Sequence, residues 1–340
     1  MIDLVLEKAG LAVETEEGLP RTYRDLLRAA DLTKGELKDL HEMHDGRAVL
    51  HFGGVLATTA CVPLVYLAYP GPLTAVLCVL LALHNFNTFA QIVHGSGHGK
   101  LLRNGYWNDL VGEIAAGFLG FRRLGAALAH QMHHSKLNTE EDGDRIWGRP
   151  EQTTGEFCRM LLQDVLMISA LKRILQYLQF DRKGYTTRPW QALGPRFFAG
   201  KLQKLLPILA IQLALLAYYW AVLGPAFYLY FYILPILTVY PALIRLRTAC
   251  EHAFDGGYRP RTVEERWVTR STRANLFERL VLAPALMPFH FEHHLLPAVP
   301  YYNLPAVQKL LATKGFEVPM APGYFAFMYR RWRRERGAAG

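Results

Sequence analysis

The sequence predicts an all-α integral-membrane protein, with four transmembrane helices paired as two hairpins beneath a cytoplasmic helical cap. Three observations predict it. No Lys, Arg, Asp or Glu occurs from Ala48 to Val93, nor from Leu205 to Ile244. Each stretch is interrupted near its middle by a turn signal, Tyr69-Pro-Gly-Pro72 in the first and Gly224-Pro225 in the second. All 38 Lys and Arg lie outside these stretches, seven in residues 1–47, sixteen in 94–204 and fifteen in 245–340.

A helix needs about 20 apolar residues to cross a hydrocarbon core of about 30 Å. Each uncharged stretch therefore has room for two spans, and helices satisfy their own backbone polar groups in lipid. The competing reading, two buried hairpins of a large soluble protein, does not call for uncharged runs of this length. The positive-inside rule places both termini and the long middle segment in the cytoplasm, the membrane being the cytoplasmic membrane if the host is bacterial. Topology thus accounts for the formal net charge of +9. With no helix-turn-helix or finger pattern either, nothing points to nucleic acid.

Three regions follow: a cytoplasmic N-terminal segment (1–47), a membrane domain (48–305) and a basic cytoplasmic tail (306–340). The first segment lacks the basic start and apolar core of a cleavable signal peptide, and predicts short helices over Tyr23–Ala30 and Lys34–Met43. Leu110–Leu119 is apolar but too short to span, as a re-entrant or interfacial helix would be. Phe157–Phe180 mixes apolar residues with Arg159, Asp164, Lys172 and Arg173, the pattern of an amphipathic surface helix. The cysteines Cys61, Cys78, Cys158 and Cys250 show no paired spacing, so neither a disulfide framework nor a thiolate site is expected.

Of thirteen histidines, nine fall in four places. These are His94-Gly-Ser-Gly-His98, His130-Gln-Met-His133-His134, the lone His252, and His290-Phe-Glu-His293-His294. Spacings of three and four put side chains on one face of a helix, and all nine fall on the side that charge alone assigns to the cytoplasm. Nine imidazoles exceed the four or so ligands of a single zinc, whereas two six-coordinate metals fit. Imidazole alone does not name the metal. His41, His44 and His51 share no spacing with a box and read as surface or interfacial residues.

The three boxes resemble those of the membrane fatty-acid desaturase and hydroxylase superfamily. The run from His290 through Leu-Leu-Pro-Ala-Val-Pro-Tyr-Tyr-Asn-Leu to Pro305 resembles its third box with trailing sequence. Arg247-Thr-Ala-Cys-Glu-His252 is similar to its additional histidine site, in the form of a bacterial branch that includes dihydrorhizobitoxine desaturase-like proteins. The resemblance covers about Val49 to Pro305. It departs at Gly95, where relatives often carry an acidic residue, and at Thr248, where some carry Asn. It implies a four-span bundle with a histidine-rich dimetal site in the cytoplasmic cap, two non-haem iron ions, O2 as cosubstrate, and His94, His98, His130, His133, His134, His252, His290, His293 and His294 as ligands.

Metal-bound histidines usually hand their other N–H to a carboxylate or carbonyl. Glu251, Glu292, Asn138, Asp142 and Asp144 are candidates for that role. His84, Asn87, Gln91, His94 and His98 form one stripe along the second span, so Asn87 and Gln91 line a substrate channel, hydrogen-bond a ligand imidazole, or bond another helix. The chain shows no haem, iron–sulfur or dinucleotide fingerprint. Its electrons would come from an external donor, a ferredoxin or small haem cytochrome with its reductase. The first functional expectation is an O2-dependent desaturase acting, among membrane lipids, on a fatty-acyl or similar lipid-like chain. A hydroxylase or ketolase of an alkyl, carotenoid or amino-acid-derived substrate is the alternative. A non-enzymatic metal-binding membrane protein is the third reading, and histidines gathered at one membrane end argue against a transporter.

Overall fold

The computed structural model describes residues 23–149, 152–179, 195–252 and 269–338. The signal-peptide reading, residues 1–22 of the N-terminal segment and Phe180 lie outside them. The chain is mostly helical. Four helical runs are long and apolar enough to cross a membrane: Lys34–Ala68, Pro72–Gly97, Leu205–Val222 and Pro225–Glu251.

Two short helices, α1 (Tyr23–Ala29) and α2 (Lys34–Leu40), lead in. Helix α2 opens with a capping box in which Thr33 and Glu36 satisfy each other's backbone N–H groups. The first span continues as α3 (Asp45–Ala68), and the second is α4 (Pro72–Gly97), started by Pro72 at its first turn. These two helices pack along each other.

Helix α5 (Gly105–Phe118) is the short apolar segment the sequence marks as re-entrant or interfacial. It packs against α4 and against α9 (Pro195–Val222), which contains the third span. Its closing carbonyls are satisfied from within the spans. Gln212 Nε2 donates to the Gly117 carbonyl at 2.8 Å, and the Tyr232 hydroxyl donates to that of Phe118. A helix end turned toward lipid would leave these groups orphaned.

Helix α6 (Arg123–Ser135) follows. The expected single helix over Phe157–Phe180 is instead two, α7 (Thr154–Val165) and α8 (Ile168–Gln179). Met167 between them adopts a left-handed conformation, φ 63°, which ends an α-helix whatever the amphipathic pattern.

The fourth span is segmented into α10 (Pro225–Tyr228), a π-helical turn (Leu229–Ile233), α11 (Leu234–Leu237) and α12 (Val239–Glu251). Pro235 and Pro241 each remove an N–H from the helical ladder there. Near its metal-side end Arg245 is buried, with Nε 2.6 Å from Asp164 Oδ2 and Nη1 donating to the Ile146 and Trp147 carbonyls at 3.1 and 2.8 Å. A buried guanidinium needs such full pairing, and this one joins α12 to α7 and to the loop after α6.

A two-residue parallel pair, β1 (Ser271–Thr272) with β2 (Met320–Ala321), then organises α13 (Leu276–Val281), α14 (His290–Leu295), α15 (Leu304–Thr313) and α16 (Tyr324–Ala338). Helix α16 packs on α12 and α7.

At Gly112 the packing leaves no room for a side chain, since any Cβ would overlap Ser96 Oγ and Arg123 Cδ. Gly112→Val is expected to cost about 1–3 kcal/mol through overpacking, read as a lower thermal midpoint in detergent. An unchanged midpoint would mean that α5 is not held against α4.

Candidate metal centre

The four histidine-bearing pieces converge. His94 and His98 end α4, His130, His133 and His134 lie on α6, His252 caps α12, and α14 carries the rest. Their ring nitrogens form two groups, one of His94, His98, His130, His134 and His293, the other of His133, His252, His290 and His294. Within each group the ligand atoms lie within 4.8 Å of one another.

The H-x-x-H-H spacing explains the partition. Residues four apart share a helix face, and the residue between them in the count is turned about 100° from its neighbour. His130 and His134 therefore enter the five-histidine group while His133 enters the other. The third box does the reverse, since His290 and His294 join the four-histidine group and His293 the first. The boxes interlock, and His134 and His294 from the two groups have ring centroids 4.4 Å apart.

The nitrogen geometry has no solution by hydrogen bonding alone. His94, His130 and His293 form a triangle of Nε2 atoms with sides of 2.8, 2.9 and 3.3 Å. In any tautomer each Nε2 is either a donor or an acceptor, so two of the three must clash. His134 Nε2 adds contacts of 2.9 Å to His130 and 2.8 Å to His293. In addition, the Nε2 atoms of His98, His133 and His294 are buried with no hydrogen-bond partner. Lone pairs directed at one cation in each group resolve both features, because imidazole ligands about 2.1 Å from an ion and at right angles lie about 3 Å apart. The residues present thus fit a pair of metal ions.

Burial favours the neutral, ligating form of these rings, His133 excepted. Burial, with neighbouring imidazoles and cationic side chains adding to it, pushes His130, His134, His252, His290, His293 and His294 well below the ordinary histidine range. Burial alone brings His98 down to about 4.

Sequence comparison adds its own finding. The family described as "Fatty acid desaturase" matches residues 70–323. The chain belongs to the fatty acid desaturase family. Membership in this family is in keeping with its four helices long and apolar enough to cross a membrane. It is also similar to the dihydrorhizobitoxine desaturase of Bradyrhizobium elkanii, with 26% identity over 244 residues. That alignment covers 69% of this chain and 66%, just under two thirds, of the relative.

In this desaturase-family chain the carboxylates near the imidazoles are unevenly shared. His133 Nδ1 donates to Asp142 Oδ1 at 2.8 Å, which leaves Nε2 as the acceptor facing the four-histidine group. Asp142 is itself aimed by the backbone N–H groups of Asn138 and Asp144, each at 2.8 Å. Asn138 takes a positive φ of 58° to do so. Burial lowers the His133 pKa, yet Asp144, Asp142 and Glu251 together outweigh it, and the net shift is upward. Gly143 completes this loop, since any Cβ there would overlap the backbone of Ala129, next to His130. Glu251 Oε2 faces His290 Nδ1 at 3.5 Å. Glu292 turns away from the metal groups, accepting from Ser271 Oγ and from Gln308 Nε2, the latter at 2.7 Å. It fastens α14 to β1 and α15.

The second-span stripe bonds other helices. His84 Nδ1 donates to the Leu280 carbonyl at 2.7 Å, and Asn87 Nδ2 to the Leu83 and Val281 carbonyls, both at 3.0 Å. Arg247 Nη1 reaches Asn87 Oδ1 at 3.4 Å and Met287 Sδ at 2.8 Å. Gln91 is buried in the same helix. The stripe thereby holds the segment leading into the third box against the helix that carries the first. Gly95 lies against the Tyr301 ring, which a Cβ would meet at 3.4 Å, so that position faces packing. Thr248 is buried, and its carbonyl accepts from His252 N at 2.9 Å.

Several contributors carry no spacing signal. His51, read from sequence as surface or interfacial, pairs through Nδ1 with the Tyr301 hydroxyl at 2.5 Å. Tyr302 accepts from His44 N at 2.7 Å, and Asn303 Nδ2 donates to the Leu40 and Glu42 carbonyls. The sequence trailing the third box therefore pins the start of the first span. Tyr23 bonds Thr269 and stacks edge-on to Phe291, with its ring 6.4 Å from that of His294. Tyr324 donates to Glu251 Oε1 at 2.8 Å.

If Asn87 is an anchor, Asn87→Leu leaves a buried carbonyl and Arg247 without their partner. A loss of about 1–3 kcal/mol in stability is expected, measured by thermal unfolding. Full stability with altered product profile would instead assign Asn87 to a substrate channel.

Proposed function

We propose that this chain is a di-iron desaturase that introduces a C=C bond into a fatty-acyl or similar lipid-like chain, using O2 and an external electron donor. The observation that carries the reading is the His94–His130–His293 triangle, which a shared cation relieves and hydrogen bonds among the three rings do not. The nine histidines in groups of five and four are the ligands we assign. The choice of iron rests on family membership.

With iron bound, the site supplies the oxidising power, drawn from O2, to remove hydrogen from an unactivated C–H bond. Two hydrogens leave adjacent carbons, two electrons and two protons come from outside, and O2 ends as two waters. The protein's own part is placement. Asp142 fixes the His133 tautomer, Glu251 faces His290, and Arg245 with Asp164 locks the helix end that leads to His252. Burial of the imidazoles limits water at the ligand nitrogens and, His133 apart, disfavours their protonation. Product choice follows from substrate position, to which such chemistry is sensitive at the ångström scale.

We place both termini and the metal centre on the cytoplasmic side, with the spans as two hairpins. The support is the basic charge, all 38 Lys and Arg lying outside the uncharged stretches. The electron donor is a separate small protein, a ferredoxin or haem cytochrome.

Two tests follow. In cells expressing the chain with a redox partner, lipid mass spectrometry should reveal a product two hydrogens lighter than its precursor, absent with His133→Ala. A product one oxygen heavier would move the chain to the hydroxylases, and no difference from His133→Ala would contradict catalysis by this centre. Asp142→Asn keeps the shape of the side chain but not its charge. It should weaken metal retention about ten- to a hundredfold in chelator competition; retention at the wild-type level would remove Asp142 from the account.

A further inference from the structure

The family match ends at residue 323, and the next side chain reaches the metal centre. Tyr324 is fully buried. Its hydroxyl donates to Glu251 Oε1 at 2.8 Å, while Glu251 Oε2 faces both Arg247 Nε and His290 Nδ1 at 3.5 Å. His290 Nε2 in turn lies 2.9 Å from His252 Nε2 inside the four-histidine group. One carboxylate thus connects a residue outside the family region to a metal-facing imidazole.

Tyr324 is held there by the start and the middle of its helix. Gly323 enters α16 at φ 129°, a conformation that suits glycine. Glu278 Oε1 accepts from Phe325 N at 2.9 Å and so caps the first turn. Two turns further on, Arg331 is buried and donates to Thr154 Oγ1 at 3.0 Å and to the Gln152 carbonyl at 2.6 Å. The inward face of α16 is therefore fixed, and the phenol has one place to point.

Support of this kind is asymmetric. Among the described residues, the carboxylates within ion-pair distance of the nine histidines are Asp142 and Glu251, and both serve the four-histidine group. A carboxylate behind an imidazole fixes its tautomer and raises its basicity. Among the described residues, two of the four ligands in that group have such support, whereas the five-histidine group has more ligands and shows none of these contacts.

We infer that Tyr324, acting through Glu251 and His290, is a positioning residue for the four-histidine metal site alone. The inference rests on the di-iron reading proposed above. Removing the hydroxyl leaves a buried carboxylate oxygen without its donor, so Glu251 shifts and His290 loses its orientation. The five-histidine site keeps its ligands.

The test is metal stoichiometry of the full chain in detergent, loaded anaerobically with ferrous iron and challenged with a graded chelator. Wild type should release two irons per chain. Tyr324→Phe should release one of them at about tenfold or more lower chelator concentration and retain the other as wild type does. Glu251→Gln should show the same one-site defect, and Tyr324→Phe should add little to it, as expected for residues acting in series. Should Tyr324→Phe not fold, Glu251→Gln carries the test. Tyr329→Phe, exposed on the same helix, should behave as wild type. Two equally retained irons in Tyr324→Phe, or parallel loss of both, would overturn the inference. A wild-type chain that takes up no iron would overturn the di-iron reading itself, and this inference with it.

Discussion

Nine imidazoles turned toward one another inside a protein are a frustrated arrangement without a cation among them. Each buried nitrogen needs a partner, and a ring of three identical neutral groups cannot alternate donor and acceptor. The rest of the structure reads as the means of imposing that arrangement. Three helices and a helix cap from distant parts of the chain must end at one point, with their rings largely withdrawn from water. Such a set of lone pairs is a metal site in waiting, and its binding energy offsets the cost of burying so many polar groups.

The surrounding contacts divide into those that bring the histidine pieces together and those that orient single rings. The second-span stripe belongs to the first kind, since His84 and Asn87 bond the carbonyls of Leu280 and Val281. The buried Arg245–Asp164 pair does the same for the fourth span. Asp142 on His133 and Glu251 on His290 are of the second kind. Among the described residues both orienting carboxylates attend one group, so the two halves of the centre differ electrostatically even though the boxes that build them are alike in sequence.

Much of this was legible in the sequence because it is periodic. Spans are long uncharged runs, and metal-facing histidines repeat at three and four residues, signals that local geometry alone creates. The partition of each H-x-x-H-H box between two groups also follows from the helical period, but only once both helices are seen to face each other. Tyr324, Arg245 with Asp164, and the His51–Tyr301 pair were not legible. Their roles arise from contacts between segments far apart in the chain, and a lone Tyr or Arg has no spacing to betray it. The break at Met167 was hidden for another reason. The amphipathic pattern continues across it, and only the left-handed backbone separates α7 from α8. Similarly, Glu292 sits beside two ligand histidines in sequence, yet a helix turns it to the opposite face, toward Ser271 and Gln308.

The most direct measurement is anomalous X-ray diffraction at the iron edge from crystals of the iron-loaded chain. The account predicts two separate anomalous peaks, one enclosed by His94, His98, His130, His134 and His293, the other by His133, His252, His290 and His294. A single peak shared by both groups, or iron bound away from these rings, would contradict it.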